Sequence, residues 1–331
     1  MHLYNSLDEA MLGIIDDFYN DDKRPFISYS RKMECREFLN YSFIITDPHK
    51  RLIFNPYRKH SIMFQIAEFI WYMEGRNDLE SIEYYNPRMK SFSDDMKILN
   101  SAYGHRLLGY NKNIGYNQIE NIISMFKKDL YTRQAILHIN VAQDMNKNSK
   151  DYPCTIYLQF FIRKEKLYML TYMRSNDFLW GFTGSDCFFF TMLQEYILCR
   201  IKEFNKNIIL GPYIHNAGSL HIYTKTENII LQIKNNEKNY EILGMEDMPF
   251  ENILYQINKM AYIESELRKN NYINTDKILE KMCNDFSINV YWQNFLYVLA
   301  ACVIYTKYNK KQKYTFLPKI WQKQLQLFFN R

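Results

Sequence analysis

The sequence predicts an α+β fold with a C-terminal helical addition, and three observations predict it. Apolar, aromatic-rich runs bounded by turn residues recur at residues 41–46, 133–141, 155–162, 166–172 and 211–224, the mark of strands. Helical spacing of apolar residues governs 61–75, 118–130 and 187–204, as an amphipathic or buried helix requires. Past Met248 the pattern is helical around 253–269, 275–286 and 291–305. Nothing reads as a flexible linker. The expectation is therefore one domain over 1–248, with 249–331 packed on it as a helical extension.

In chain order, residues 1–22 form a short amphipathic helix on Leu7, Met11, Ile14, Ile15 and Phe18. Tyr41–Thr46 is a strand stopped by Asp47-Pro48, because proline restricts the residue before it and gives no amide to a ladder. Ser61–Gly75 is the strongest helix: Ile62, Met63, Ile66, Phe69, Ile70 and Met73 make a wide apolar stripe, and Gly75 suits its C-terminal cap. Glu68 stands among those apolar residues. Pattern alone allows two readings of it, a buried carboxylate in use or one on the exposed strip. Strands 155–162 and 166–172 form a hairpin across Arg163-Lys164-Glu165. Residues 211–224 are a loop running into a strand that brings His221 and Tyr223 to one face. Residues 240–248 hold a short strand and turn, and a polar, basic tail follows the last helix.

Composition excludes several function classes. Ten glycines in 331 residues, with no P-loop and no dinucleotide-binding glycine pattern, argue against a glycine-rich phosphate loop. The net charge of +6 is scattered, so nucleic acid is not the expected partner. The cysteines are Cys35, Cys154, Cys187, Cys199, Cys283 and Cys302, with no Cys-x-x-Cys pair and no histidine at ligand spacing; no metal is expected. The longest apolar run, 295–305, has eleven residues where a membrane span needs about 20. The polar, acidic start MHLYNSLDEA is no signal peptide. Free thiols in a reducing cytoplasm are the expectation.

The densest polar knot is Arg174-Ser175-Asn176-Asp177, placed at the end of one hairpin strand while Pro153-Cys154 precedes the other. A thiol becomes a nucleophile when positive charge lowers its pKa, and Arg174 is placed to supply it. Read alone, Cys154 would more often be an inert core thiol.

Taken together, AEFIWYMEG (67–75), AYGHR (102–106), TRQA (132–135), PCT (153–155), QFF (159–161), MRSND (173–177), the Gly181 loop and LHIY (220–223) occur in the order and spacing of the thymidylate synthase family. The chain resembles that family, including its pyrimidine-nucleotide hydroxymethylase branch, over residues 30 to 225. The resemblance implies a mixed sheet with packed helices, and a one-carbon transferase that uses 5,10-methylenetetrahydrofolate as co-substrate on a pyrimidine nucleoside monophosphate. It implies Cys154 as the thiolate that adds to C6 of the ring, with Arg174 lowering its pKa and gripping phosphate beside Ser175. It implies Glu68 and Tyr103 as the proton-moving and water-ordering pair, Asp177 as a folate contact with a part in catalysis, and His221 with Tyr223 on the sugar 3′-hydroxyl. Trp71 and Met89 stand where folate contacts are expected, Met89 and Phe92 near positions where the family carries tryptophans. Arg133 resembles an arginine that the family donates across a homodimer, although Gln134 stands where a second arginine is usual. Arg31 is the candidate for a mobile-loop phosphate arginine, in surroundings that depart from the family's threonine-glycine-rich loop.

The base is read from the loop WGFTGSDCFFF. Uracil offers an N3–H donor beside an O4 acceptor, which an asparagine amide matches; cytosine offers an N3 acceptor beside an N4 donor, which suits a carboxyl. Strict spacing from Arg174 lands on Ser185, and one inserted residue lands on Asp186. Relatives with an RSND-x-x-WG loop resemble the inserted version, so Asp186 is the expected reader, and neither residue is asparagine. The competing reading makes Asp186 the N-cap of the next helix. The chain lacks the short C-terminal segment that seals folate in ordinary thymidylate synthases and ends in LPKIWQKQLQLFFNR. Hydride transfer favours a closed, dry site, so water capture and a hydroxymethyl product are expected. Cytosine and water capture point to a CMP or dCMP hydroxymethylase, with the long C-terminal addition favouring CMP.

Overall fold

The structure, a computed structural model, describes residues 2–30, 32–109, 117–146, 148–236, 240–269 and 275–330. Its strands are β1 His2–Tyr4, β2 Phe26–Ser30, β3 Met33–Ile45, β4 Ile136–His138, β5 Thr155–Arg163, β6 Lys166–Met173, β7 Asn176–Asp177 and β8 Ile209–Tyr223. Its α-helices are α1 Leu7–Phe18, α2 Ile62–Met73, α3 Leu79–Tyr85, α4 Gln118–Lys128, α5 Cys187–Lys202, α6 Glu227–Asn235, α7 Ile253–Lys269, α8 Thr275–Asp285, α9 Val290–Tyr308 and α10 Lys319–Phe329. Among the described residues, no helix is long and apolar enough to cross a membrane.

The chain forms two compact units. The first comprises Met1–His60, Gln118–Asn146 and Pro153–Met245. It is built on a sheet of order β1-β3-β8-β6-β5-β4, with β2 paired to β3 and β7 to β8. The β6/β8, β7/β8 and β1/β3 pairings are parallel and the others antiparallel, so the sheet is mixed, as expected. The predicted hairpin forms. Lys164 and Glu165 take φ of 48° and 57° at its tip, the doubly left-handed turn that matches strand twist. Helix α5 is buried along nearly its whole length, which explains its unbroken apolar run.

The second unit comprises Ser61–Asn117, Lys147–Tyr152 and Glu246–Arg331. Every residue of α2 is buried. Helices α3, α7 and α9 pack against α2, and α10 packs on α9. Gly75 ends α2 at φ 66°, a left-handed conformation that glycine adopts without steric cost. The helices after Glu246 thus share a unit with 61–117, a grouping that cuts across the expected boundary at 248.

Several elements differ from expectation for local reasons. Residues 240–248 form no regular element. The strand predicted at 41–46 is the end of a thirteen-residue β3 that hairpins with β2; β2 is largely exposed on both faces and so carries no apolar alternation. The tail read as polar is α10, whose Ile320, Trp321, Leu325, Phe328 and Phe329 are buried at helical spacing.

Candidate active site

The hairpin register places the thiol. Thr155 pairs with Met173, so Cys154 and Arg174 lie opposite each other just beyond the ladder. The Arg174 amide donates to the Cys154 carbonyl at 2.8 Å. The Arg174 Nε donates to the Pro153 carbonyl at 2.9 Å, and its Nη2 lies 3.8 Å from the Cys154 Sγ. A register irregularity between Thr155 and Tyr157 turns this end of the strand, a device common beside active sites. Of the six cysteines, Cys154 alone is not buried. Partial exposure beside a guanidinium is the setting of a reactive thiol.

Beyond Arg174 the chain runs along β8. Asn176 pairs with Leu220 and Asp177 with His221. Asp177 Oδ1 accepts from the amides of Leu179 and Trp180, both at 2.8 Å, and so caps a π-helical stretch, Phe178–Asp186. Such stretches are rare and gather at functional sites. Arg58 fastens this stretch: its Nε donates to Thr183 Oγ1 at 2.6 Å, and its Nη2 to the Leu179 carbonyl.

Asp186 closes the stretch and makes no side-chain bond to cap α5, which removes the capping reading. Its Oδ2 instead accepts from Asn176 Nδ2 at 2.8 Å. A Cβ on Gly181 would meet both of those atoms, so only glycine leaves room for the pair. Burial, countered by the Asn176 bond and reinforced by the Asp177 charge, pushes the Asp186 carboxyl up to about 7. Ser185 is buried and Ser175 half-buried.

His221 and Tyr223 lie two residues apart on β8, their rings edge to face at 5.1 Å. Burial lowers His221 below the ordinary imidazole range, while Asp177 and Glu37 act against it. Its Nδ1 lies 3.4 Å from Ser219 Oγ, which donates to Glu37. Arg133 is exposed beside β4, and its carbonyl accepts from Gln159 Nε2 at 3.0 Å. Arg31 lies outside the described residues.

In the second unit, Glu68 is buried on α2, which settles the exposed-strip alternative. Tyr72, one turn on, donates its hydroxyl to Glu68 Oε1 at 3.4 Å. The Tyr72 ring stacks on Tyr103 at 5.4 Å and 14°, so Glu68, Tyr72 and Tyr103 form one cluster. Trp71 is buried, its indole N–H donating to the Asp78 carbonyl at 3.2 Å. Met89 is half-buried in the short helical turn Pro87–Ser91.

Three residues of this architecture escaped sequence reasoning: Arg58, Asn176 and His215, whose Nε2 lies 3.1 Å from Asn176 Oδ1. Asn176 was visible inside the Arg-Ser-Asn-Asp word. Arg58 and His215 carried no local signal, because their partners lie 125 and 39 residues away.

Known proteins resemble this chain in sequence and in fold. A family model for thymidylate synthase matches residues 47–295. A deoxyuridylate hydroxymethyltransferase of Bacillus phage SP01 is 33% identical over 239 residues, 67% of this chain and 60% of that protein. The chain thus spans less than two thirds of that relative's length. The deoxycytidylate 5-hydroxymethyltransferase of Enterobacteria phage T4 is 23% identical over 214 residues, 61% of this chain and 81% of the relative. Among solved structures, thermostable thymidylate synthase A from Bacillus subtilis superposes with a TM-score of 0.57 at 19% identity, over 71% of this chain and 86% of that one, which is a likeness of fold.

Proposed function

Because the chain belongs to the thymidylate synthase family, we propose that it is a pyrimidine deoxynucleoside monophosphate 5-hydroxymethylase that takes its one-carbon unit from 5,10-methylenetetrahydrofolate. The observation that carries the reading is the partly exposed Cys154 thiol beside Arg174. The Cys154 thiolate adds to C6, which makes C5 nucleophilic. C5 attacks the folate methylene and loses its proton, and tetrahydrofolate leaves an exocyclic methylene on the ring. Water adds there, and Cys154 is eliminated. Glu68 and Tyr103 are proposed as the proton-moving and water-ordering pair. Arg174 with Ser175 is proposed for phosphate, His221 with Tyr223 for the sugar, and Asp177, Trp71 and Met89 for folate. The exposed position of Arg133 is compatible with a homodimer in which it reaches the partner's nucleotide.

Asp186 supports cytosine. With a carboxyl pushed up to about 7, about half of it is protonated at neutral pH, and that form gives O–H to N3 while accepting from N4. Deoxyribose is favoured over the ribose suggested by the C-terminal addition, because both phage relatives are named for deoxynucleotides. A second reading, dUMP, is favoured by the 33%-identical deoxyuridylate relative.

The test is a mass-spectrometric screen of dCMP, CMP, dUMP and UMP with methylenetetrahydrofolate. The expected product is dCMP enlarged by one CH2O unit, with no rise in dihydrofolate absorbance. A CH2 gain accompanied by dihydrofolate would make the protein a thymidylate synthase and overturn the hydroxymethylase reading.

A further inference from the structure

Behind Asp186 runs a buried hydrogen-bonded chain with no part in the steps above. Tyr213 and His215 lie on β8, and both are wholly buried. The Tyr213 hydroxyl is 2.7 Å from His215 Nδ1, and His215 Nε2 is 3.1 Å from Asn176 Oδ1. Asn176, 1% exposed, passes the chain to Asp186 Oδ2 at 2.8 Å.

Each link has a direction. Burial raises the Tyr213 phenol far above its ordinary value, so it remains a donor. Burial lowers His215 to about 3, so it is neutral and carries one N–H. The only arrangement that fits Asn176 as it stands is Tyr213 O–H to His215 Nδ1, His215 Nε2–H to Asn176 Oδ1, and Asn176 N–H to Asp186 Oδ2. The His215 ring is held by Phe43, stacked at 4.9 Å and 20°. Reversing the asparagine amide would require the other His215 tautomer, with Nδ1–H donating to the Tyr213 hydroxyl, and would turn the Asn176 carbonyl toward Asp186 Oδ2.

We propose that Tyr213, His215 and Asn176 determine base specificity through Asp186, by fixing Oδ2 as the accepting oxygen and Oδ1 as the one that holds the proton. The proposal rests on Asp186 being the base-facing carboxyl. Cytosine presents an acceptor at N3 beside a donor at N4, and uracil presents the reverse. A carboxyl with one donating and one accepting oxygen in fixed places matches one base and opposes the other. A carboxyl free to exchange those roles matches both. Discrimination therefore resides in the buried chain as much as in Asp186, and the three residues behind it are positioning residues.

The experiment is calorimetric titration of the full chain with dCMP and with dUMP, read as the ratio of the two Kd values. His215→Phe removes the N–H that pins Asn176 and is expected to move the ratio toward one by about tenfold or more, the scale of losing a buried polar match. His215→Gln returns an N–H to that position and is expected to restore the ratio to within about threefold. A purely structural role would weaken both nucleotides alike, and an unchanged ratio overturns the proposal. Should His215→Phe not fold, Tyr213→Phe deletes one hydroxyl at the far end of the chain. A smaller shift in the same direction is then expected, and no shift overturns the proposal. A wild-type ratio of one does so as well. Asp186→Asn separates the two layers. If it leaves the ratio unchanged, Asp186 does not read the base and both ideas fall. If it moves the ratio while His215→Phe and Tyr213→Phe do not, only the role of the buried chain falls.

Discussion

Glu264, buried in the helical unit, and Asp186, half-buried in the sheet unit, solve the same physical problem in opposite ways. In the helical unit, Glu264 on α7 accepts from Arg268 Nε at 2.7 Å and from the Tyr85 hydroxyl at 2.6 Å. Its charge is balanced within one helical turn. In the sheet unit, Asp186 has the neutral amide of Asn176 as its hydrogen-bonded partner and the negative charge of Asp177 as a neighbour. Removing a carboxylate from water costs several kcal/mol unless a cation compensates. The helical unit provides that cation. The sheet unit holds the group protonated near neutrality, at the edge of losing its proton. A compensated carboxylate fastens helices; an uncompensated one, kept titratable on a stretch of unusual helix, is suited to meeting a ligand.

The contrast is broken most severely at the thiol of the sheet unit. Cys154→Ala is expected to lower hydroxymethyl transfer by at least about a thousandfold while leaving the thermal midpoint nearly unchanged; tritium release from C5-labelled nucleotide checks it. Release that survives would refute the covalent route.

The helical counterpart should show the reverse pattern. Glu264→Gln leaves the Arg268 guanidinium buried without its counter-charge and is expected to cost about 3–5 kcal/mol in denaturant unfolding. The double change Glu264→Leu with Arg268→Leu should recover most of that loss, because no charge then remains buried. Equal losses in the single and double variants would show that the pair is not what holds α7.

A smaller effect is expected at Gly181. A Cβ there meets Asp186 and Asn176, so Gly181→Ala should destabilise by about 1–3 kcal/mol and weaken nucleotide binding. Calorimetry and denaturant titration on the same sample separate the two effects.

A further test is pH. Asp186 has a folded-state pKa raised from 3.8 to about 7. Between those values the folded state binds more protons at this site than the unfolded state. Its contribution to stability therefore falls as pH rises from about 4 to about 7, by no more than about 1.4 kcal/mol per pH unit. Subtracting the Asp186→Asn stability curve from that of the wild type should isolate this slope. A difference that rises with pH would mean that the carboxyl is ionised in the folded protein.

Much of the site was legible because its signals are local. The hairpin turn, the Pro-Cys step and the Arg-Ser-Asn-Asp word fix Cys154 opposite Arg174 through strand register alone. Gly75 was readable as a helix end because a left-handed residue there suits glycine. Helix α10 was legible in principle, since Ile320, Trp321, Leu325, Phe328 and Phe329 keep helical spacing, but the lysines at 310, 311 and 313 drew attention to a solvated tail. The exposed β2 hairpin was not legible, because a strand solvated on both faces has no alternation to read.

The sequence by itself determined the candidate thiol, the arginine opposite it and the choice of a carboxyl over an amide near Ser185 and Asp186, since each depends on residue identity within a short span. Tertiary structure alone decided what that carboxyl does. Asp186 could have capped α5, and both roles begin from the same residue at the same helix end. It turns instead to Asn176, which a parallel crossover from β6 to β8 brings against His215, 39 residues along the chain. Hydrogen bonds between distant strands depend on strand order and register, which no local run of side chains encodes.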